Sequence, residues 1–306
     1  MPRDKFDVVV IGGGTAGLVT ASGSARLGRR VALVEKRALG GDCLWTGCVP
    51  TKALIASAKL AHQMRHANEY GLERVAPQIA PRSIMESMRD VQRVTSKHDR
   101  PEKFRDLGID VIEGEARFVA RNEVEVNGRV LVAKDVVIAT GSRTAVPPVD
   151  GLADAGFIDH VSFLGRDSFP RSLLILGGGY IGIEFAQMFR RFGCDVTVIE
   201  MAGEIVGKED HDVIFRVREI LAGEDIAICT GWTVKSVRGE GGRKIARIEN
   251  SGGETRDVAA DEIFVASGRR GNIENLGLDV AGVKTERNYV VADKYLETTA
   301  PRVWAC

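Results

Sequence analysis

The sequence has no surplus of charge of either sign. Lysine plus arginine and aspartate plus glutamate each total 42, so the 306-residue chain carries a formal net charge of zero. A protein whose main partner is nucleic acid or an anionic membrane draws on a basic surplus, so neither partner is expected. Long hydrophobic runs are missing too, and no apolar stretch reaches the length of a transmembrane helix. The opening "MPRDKFDVVVIGGG" runs straight into a strand pattern, without the apolar core and cleavage site of a secretory signal. A cytoplasmic location is expected. Cysteine is scarce, at five residues, which in a reducing compartment argues against a structural disulfide framework. Aromatics make up only 6%, whereas glycine is plentiful at 35 residues. Many glycines mean many close backbone approaches.

Two of these glycine clusters repeat one another. "FDVVVI" is an apolar run of buried-strand length, followed by "GGGTAG", a helical stretch and a second strand, "RVALVE". Later "SLLIL" leads into "GGGYIG", another helical stretch and "DVTVIE". Gly12, Gly14 and Gly17 in the first copy correspond to Gly177, Gly179 and Gly182 in the second. Glu35 stands 18 residues after Gly17, and Glu200 stands 18 after Gly182. One such motif is weak evidence. Two, each between strand and helix and each with its acid at the same distance, point to two dinucleotides. The glycines permit a tight turn, close approach to a pyrophosphate and close helix–sheet packing; the glutamate accepts from a ribose. Two dinucleotides in one chain suggest electron transfer between a nicotinamide and a flavin. A carboxylate at Glu200 favours a free 2′-hydroxyl, and "MAGEIVG" after it contains no arginine to hold a 2′-phosphate. NADH is therefore expected over NADPH.

Between the copies, "TKALIASAKLAHQM" and "SIMESMRDVQRVTSKHD" have helical spacing. Residues 109–138 read as the short strands "IDVIEG", "ARFVA", "EVEV", "RVLVA" and "DVVIAT". "GSRTAVPPVDG" reads as a domain crossover. The strands "TVKSVRG", "KIARIEN" and "ETRDVAADEIFVAS" follow the second copy.

"GGDCLWTGCVPTK" places Cys43 and Cys48 five positions apart directly after the first glycine unit. On a regular helix that spacing separates their Cα atoms by roughly 8–9 Å, more than the ~4.4–6.8 Å a disulfide spans. If they bridge, the helix must be broken between them, and Gly40, Gly41 and Gly47 permit a bend. Pro50 suits the first turn of a following helix. Cys48 at that helix start would have its thiolate favoured, and Lys52 would share its face. A redox-active pair is expected; two unrelated buried thiols are the alternative.

On these segments, together with "IATGS", "LILGGGYIGIEFA", "VASGRRGNIENLGL" and "TTAPRVWA", the chain resembles the FAD-dependent pyridine nucleotide–disulfide oxidoreductases. "GGDCLWTGCVPTK" with "GEARFV" is most similar to mercuric-reductase-like members, and dihydrolipoamide dehydrogenase is the other pattern. The resemblance implies an α/β fold of two Rossmann-like, three-layer ββα domains, with the nicotinamide domain inserted in the flavin domain. The divisions would be 1–147 for FAD, 148–270 for NAD and 271–306 for the return to the FAD domain. It implies that the first unit binds FAD, through Gly12, Gly14, Thr15, Ala16, Gly17, Glu35, Gly41, Asp42, Lys52, Ala116, Thr140, Gly141 and Ser142. The second would bind the nicotinamide, through Gly177, Gly179, Tyr180, Ile181, Gly182, Glu200, Val234 and Gly268. Tyr180 would cover the nicotinamide pocket. The catalytic residues implied are Cys48 as flavin-proximal thiol, Cys43 as interchange thiol, and a Lys52–Glu184 ion pair beside the flavin. The substrate would be a small-molecule disulfide or a metal ion such as Hg2+; no resident metal is expected.

The chain departs from the family pattern at "PRVWAC", short of a glycine–aspartate pair and of the dimerisation domain that carries a histidine–glutamate acid–base pair. A full-length form is expected to be a homodimer. Weaker FAD binding and poor thiol turnover are expected of this chain. None of His62, His66, His98, His160 and His211 is nominated as base; most are expected at the surface. Cys194, Cys229 and Cys306 read as unpaired. Two other readings stay open: a non-catalytic nucleotide-binding module or redox sensor, and a simple NADH oxidase.

Overall fold

The structure, a computed structural model, describes residues 3–306. The chain divides into two compact units. One comprises Met1–Val49, Val91–Arg143 and Arg269–Cys306; the other comprises Pro50–Asp90 and Thr144–Gly268.

In the first unit, β1 (Arg3–Ile11) leads through a turn into α1 (Thr15–Arg26) and β2 (Val31–Glu35). The strands Asp110–Glu113, β2, β1 and Arg129–Ile138 lie side by side in that order, all parallel. Side chains alternate faces along a strand. Val8 and Val10 join Val31 and Leu33 in the core against α1, and Val9 and Ile11 join Ala32 and Val34 in the core on the other face. Burial on both faces is why these strands read as continuous apolar runs rather than alternating ones.

"RVLVA" and "DVVIAT", expected as two strands, form one of ten residues, Arg129–Ile138. Its first part pairs antiparallel with Glu123–Val126 and its last part pairs parallel with Val303–Ala305. One edge of this strand pairs parallel with β1 throughout, while the other takes the antiparallel meander at one end and a parallel strand at the other, which no local pattern announces.

The second unit repeats the plan. The strands Ala227–Thr230, Asp195–Glu200, Ser172–Leu176 and Glu262–Val265 form a parallel sheet in that order. Leu173 and Ile175 face a core of helical residues, while Leu174 and Leu176 face a three-stranded antiparallel meander. "ETRDVAADEIFVAS" divides into Thr255–Ala260 in the meander and Glu262–Val265 in the parallel sheet. The Asp261 carboxylate between them accepts from the Ser172 N–H, pinning the switch. Helices α3 (Cys48–Arg65) and α4 (Pro81–Ser96) send Leu54, Ala58, Met85 and Met88 into the same core as Phe163, Phe185, Phe189 and Phe264. That shared core is why residues 50–90 group with this unit. Both units are thus three-layer α/β. Among the described residues, no helix is long and apolar enough to cross a membrane.

In both turns the first glycine has a left-handed φ, +109° at Gly12 and +113° at Gly177. A Cβ on Gly17 would stand 1.8 Å from the Gly12 carbonyl oxygen, and one on Gly182 would stand 2.0 Å from that of Gly177. Gly179 meets nothing within 4 Å. Gly182→Ala should therefore destabilise the fold by at least about 1–3 kcal/mol through overpacking, whereas Gly179→Ala should leave the urea midpoint almost unchanged. Equal midpoints for the two variants would contradict this packing.

Candidate functional site

Each glycine turn closes on a carboxylate. Glu35 Oε2 accepts from the Gly13 N–H at 2.7 Å and Oε1 from the Arg37 N–H at 2.8 Å. In the second unit, Glu200 accepts from the Gly178 N–H at 2.6 Å and the Ala202 N–H at 2.7 Å. An ionised carboxylate has about four acceptor positions, so each glutamate can hold its turn and still accept from a ribose. The sequence pattern pointed to the ribose; the clamp on the turn is a second duty it did not reveal.

The helices that follow begin without a side-chain cap, at Gly14 and at Gly179, and neither has an acidic residue in its first turn. Their first N–H groups have no intrahelical partner, and Thr15 and Ala16, like Tyr180 and Ile181, lie in those first turns. An uncapped helix start free of acidic side chains, entered through a turn too tight for a Cβ, fits an anionic pyrophosphate. The residues present therefore fit a dinucleotide in each unit.

The two units differ in what approaches the turn. In the first, the Gly40 N–H donates to the Gly13 carbonyl at 2.8 Å, and a Cβ on Gly41 would lie 2.5 Å from the Gly14 Cα. This contact holds "GGDC" against the turn. Helix α2 (Gly41–Trp45) ends at Thr46, Gly47 intervenes, and α3 begins at Cys48. The helix is broken between the two cysteines, as their spacing requires for contact. The bend is held by the Asp42 carbonyl, which accepts from the Thr46 and Gly47 N–H groups at 2.9 and 2.5 Å. The indole of Trp45 donates to the Leu39 carbonyl at 2.8 Å.

The Cys43 and Cys48 thiols stand close enough to act on one another: Cys48, with burial and the Asp42 charge, raises the Cys43 pKa, and Thr15 acts in the opposite direction. The Asp42 carboxylate is held by the Thr46 hydroxyl and by Arg269 at 2.8 Å. Arg269 also donates to the Ser142 hydroxyl and carbonyl, both at 2.8 Å. Sequence reasoning missed Arg269: it stands 227 residues from Asp42, and no spacing rule reaches that far. Thr140 and Gly141 accept at their carbonyls from Asn272, and Ala116 is buried in the core. A cavity of about 890 Å³ lies beside Ala116, lined by Glu115, Arg117 and residues 273–280 among others. None of the expected site residues lines it.

In the second unit the Lys52 ammonium donates to both Glu184 carboxylate oxygens, at 2.6 and 2.8 Å. Their side chains are 59% and 39% exposed, so the pair adds at most ~1 kcal/mol of stability; its value is in placing two charges. The Tyr180 hydroxyl donates to Glu209 at 2.5 Å, which raises its pKa. The Val234 side chain is packed in the core, so a nucleotide could meet only its main chain. The Gly268 carbonyl accepts from Ala145 at 2.9 Å.

The remaining thiols and histidines are dispersed. Burial pushes the Cys194 thiol up to about 12, which leaves it unreactive near neutrality. His98 and His211 are exposed, His62 and His66 half-buried. His160, contrary to the surface expectation, is buried, with its ring 3.4 Å from the Thr144 hydroxyl. It lies beside the Asp159 capping box of a short helix, in structural rather than reactive company.

Two glycine turns that each fit a dinucleotide, with a thiol pair held against the first of them, are the features this chain brings to the comparison with known proteins. The chain belongs to the pyridine nucleotide-disulphide oxidoreductase family, whose model matches residues 6–306. Over 98% of its length it is 30% identical to a mercuric reductase of Bacillus cereus, of which it spans 48%. Over 99% of its length it is 34% identical to a dihydrolipoyl dehydrogenase of Rhizobium etli, of which it spans 67%. Among solved structures, the HOCl-induced flavoprotein disulfide reductase RclA of Escherichia coli, in a Cu(II) complex, superposes with a TM-score of 0.81 at 30% identity. That match covers 99% of this chain and 65% of RclA. The chain thus spans between about half and two thirds of these relatives.

Because the nearby Cys48 thiol is the largest influence raising the Cys43 pKa, Cys48→Ala should lower it. Iodoacetamide labelling of Cys43 at pH 8, followed by peptide mass spectrometry, should then accelerate severalfold, with its pH midpoint moved to lower pH. An unchanged midpoint would show that Cys48 does not control the thiol.

Proposed function

We propose that this chain is a flavoprotein oxidoreductase that carries reducing equivalents from NADH through FAD to the Cys43–Cys48 pair, and from there to a disulfide or thiophilic metal-ion substrate. The observation that carries the reading is the contact of the two thiols on a broken helix held against the first glycine turn. A flavin bound there supplies two-electron exchange between a nicotinamide and a disulfide.

The chain's own residues have three tasks. The clamped turns at Gly12–Gly17 and Gly177–Gly182 bind pyrophosphates, with Glu35 and Glu200 on the riboses. Thr15, Asp42 and Arg269 fix the position of Cys43 beside Cys48. In the thiol–disulfide step, Cys43 as thiolate attacks one substrate sulfur and the other leaves as a thiolate. Cys48 then attacks Cys43 in the mixed disulfide, releasing the second product thiol and leaving the Cys43–Cys48 disulfide to be reduced again. The raised Cys43 pKa means that this attack needs a base, and the full activity depends on a group that removes that proton. For a thiophilic metal ion the same two sulfurs act as ligands.

Glu200 supports NADH as donor: a carboxylate on the ribose would repel a 2′-phosphate. With the flavin-loaded protein, NADH should exceed NADPH in kcat/KM by about tenfold or more, and Glu200→Gln should narrow that ratio. An NADPH advantage in the parent protein would refute the donor assignment. Anaerobic NADH should also raise a long-wavelength thiolate–flavin absorbance that persists in Cys43→Ser and vanishes in Cys48→Ser. Flavin bleaching with no such band would refute the thiol relay and favour a plain NADH oxidase.

A further inference from the structure

The short helix that carries Cys43 is held from outside itself. The end of α4, from Val91 onward, belongs to the same unit as α2. There the half-buried Gln92 sets its side-chain amide against the end of α2. Its nitrogen donates to the Leu44 carbonyl at 3.1 Å and to the Trp45 carbonyl at 2.9 Å. A carbonyl can only accept, so the amide presents its NH2 group here and not its oxygen. Leu44 and Trp45 are the last two residues of α2, and the last carbonyls of a helix lack intrahelical partners. Gln92 thus closes α2 from the side, directly before the break at Thr46 and Gly47. Farther along the same segment, Asp99 lies against the other end of α2: a Cβ on Gly40 would stand 3.1 Å from its carboxylate.

We infer that Gln92 is a positioning residue for the Cys43–Cys48 pair: by fastening the C-terminal end of α2, it holds Cys43 where a disulfide with Cys48 can form. At five residues, α2 is too short to persist on helix propensity alone, so its course depends on what fastens it. The Trp45 indole bonds within the same stretch, to Leu39, and Arg269 holds Asp42 in the first turn. Gln92 reaches the last turn from a separate helix. Freedom already removed in the dithiol is not lost again when the sulfurs bridge, so an anchored α2 favours the disulfide. The bonds from Gln92 go to main-chain oxygens, so its influence on the thiols passes through the backbone of α2. The inference rests on the proposed cycling of the pair between dithiol and disulfide, and not on flavin or nicotinamide.

The test equilibrates the full chain with mixtures of reduced and oxidised dithiothreitol. Each exchange converts one dithiol to its disulfide while the other disulfide is reduced. Acid quenching, alkylation and peptide mass spectrometry then give the oxidised fraction of the Cys43–Cys48 peptide. Gln92→Leu keeps the bulk and removes the donors. It should shift the equilibrium toward the dithiol by about tenfold, equal to about 30 mV for a two-electron couple. Gln92→Asn, whose amide is one methylene short, should shift it in the same direction. Hydrogen exchange in the peptide spanning residues 41–48 should also quicken in Gln92→Leu. Thr95→Ala removes a hydroxyl bonded only along α4, to the Val91 carbonyl, and should leave the equilibrium unchanged. Circular dichroism confirms the fold of each variant. An equilibrium within twofold of the parent in folded Gln92→Leu, or an equal shift in Thr95→Ala, would overturn the inference and leave the thiol relay standing. A parent chain that forms no Cys43–Cys48 disulfide would overturn both.

Discussion

Both units depend on one contact between backbones: the last glycine of each turn against the carbonyl of the first. At Gly17 and Gly182 there is no room for a single methyl group. That closeness lets the helix leave the strand at once and aim its uncapped start across the sheet edge. The carboxylate at the end of the next strand then ties down the middle of the turn. Three separate elements, strand, helix and neighbouring strand, are thereby locked around a small patch of N–H groups. The same solution appears twice in the chain, with hydrogen bonds that agree to about 0.1 Å. A repeat so close in detail fixes the backbone donors of both turns in the same arrangement, so that an anion bound there would carry little ordering cost.

The thiol pair uses the first turn as its support. Two short helical pieces meet at Gly47, and the break between them is what brings together cysteines that an unbroken helix would hold apart. The nearness of Cys48 also favours the proton on Cys43. Proximity of the two thiols and ionisation of Cys43 are thus set against one another. The electrostatic surroundings are crowded: Asp42 beside Cys43 is bound by Arg269, which partly offsets a carboxylate that would otherwise bear fully on the thiol.

The glycine turns, their paired glutamates, the broken helix and the family were all legible in the sequence, because each rests on local spacing or on a residue type with little freedom of placement. The Lys52–Glu184 pair was legible only through family resemblance. Arg269 on Asp42, the single long strand at Arg129–Ile138 and the buried His160 were not legible. Each depends on partners brought together by folding, and a local pattern says nothing of which distant segment arrives. Tyr180 likewise has a partner, Glu209, that its position in the motif does not suggest.

By itself the sequence determined where the chain must turn tightly, which faces of the strands are apolar, and that two cysteines could meet only across a helix break. These follow from sterics within a few residues and from the periods of helix and strand. Only the tertiary structure decided which charge stands beside which thiol, and which strand takes both parallel and antiparallel partners in its sheet. Those outcomes are set by long-range contacts, whose geometry exists only once the sheets have assembled.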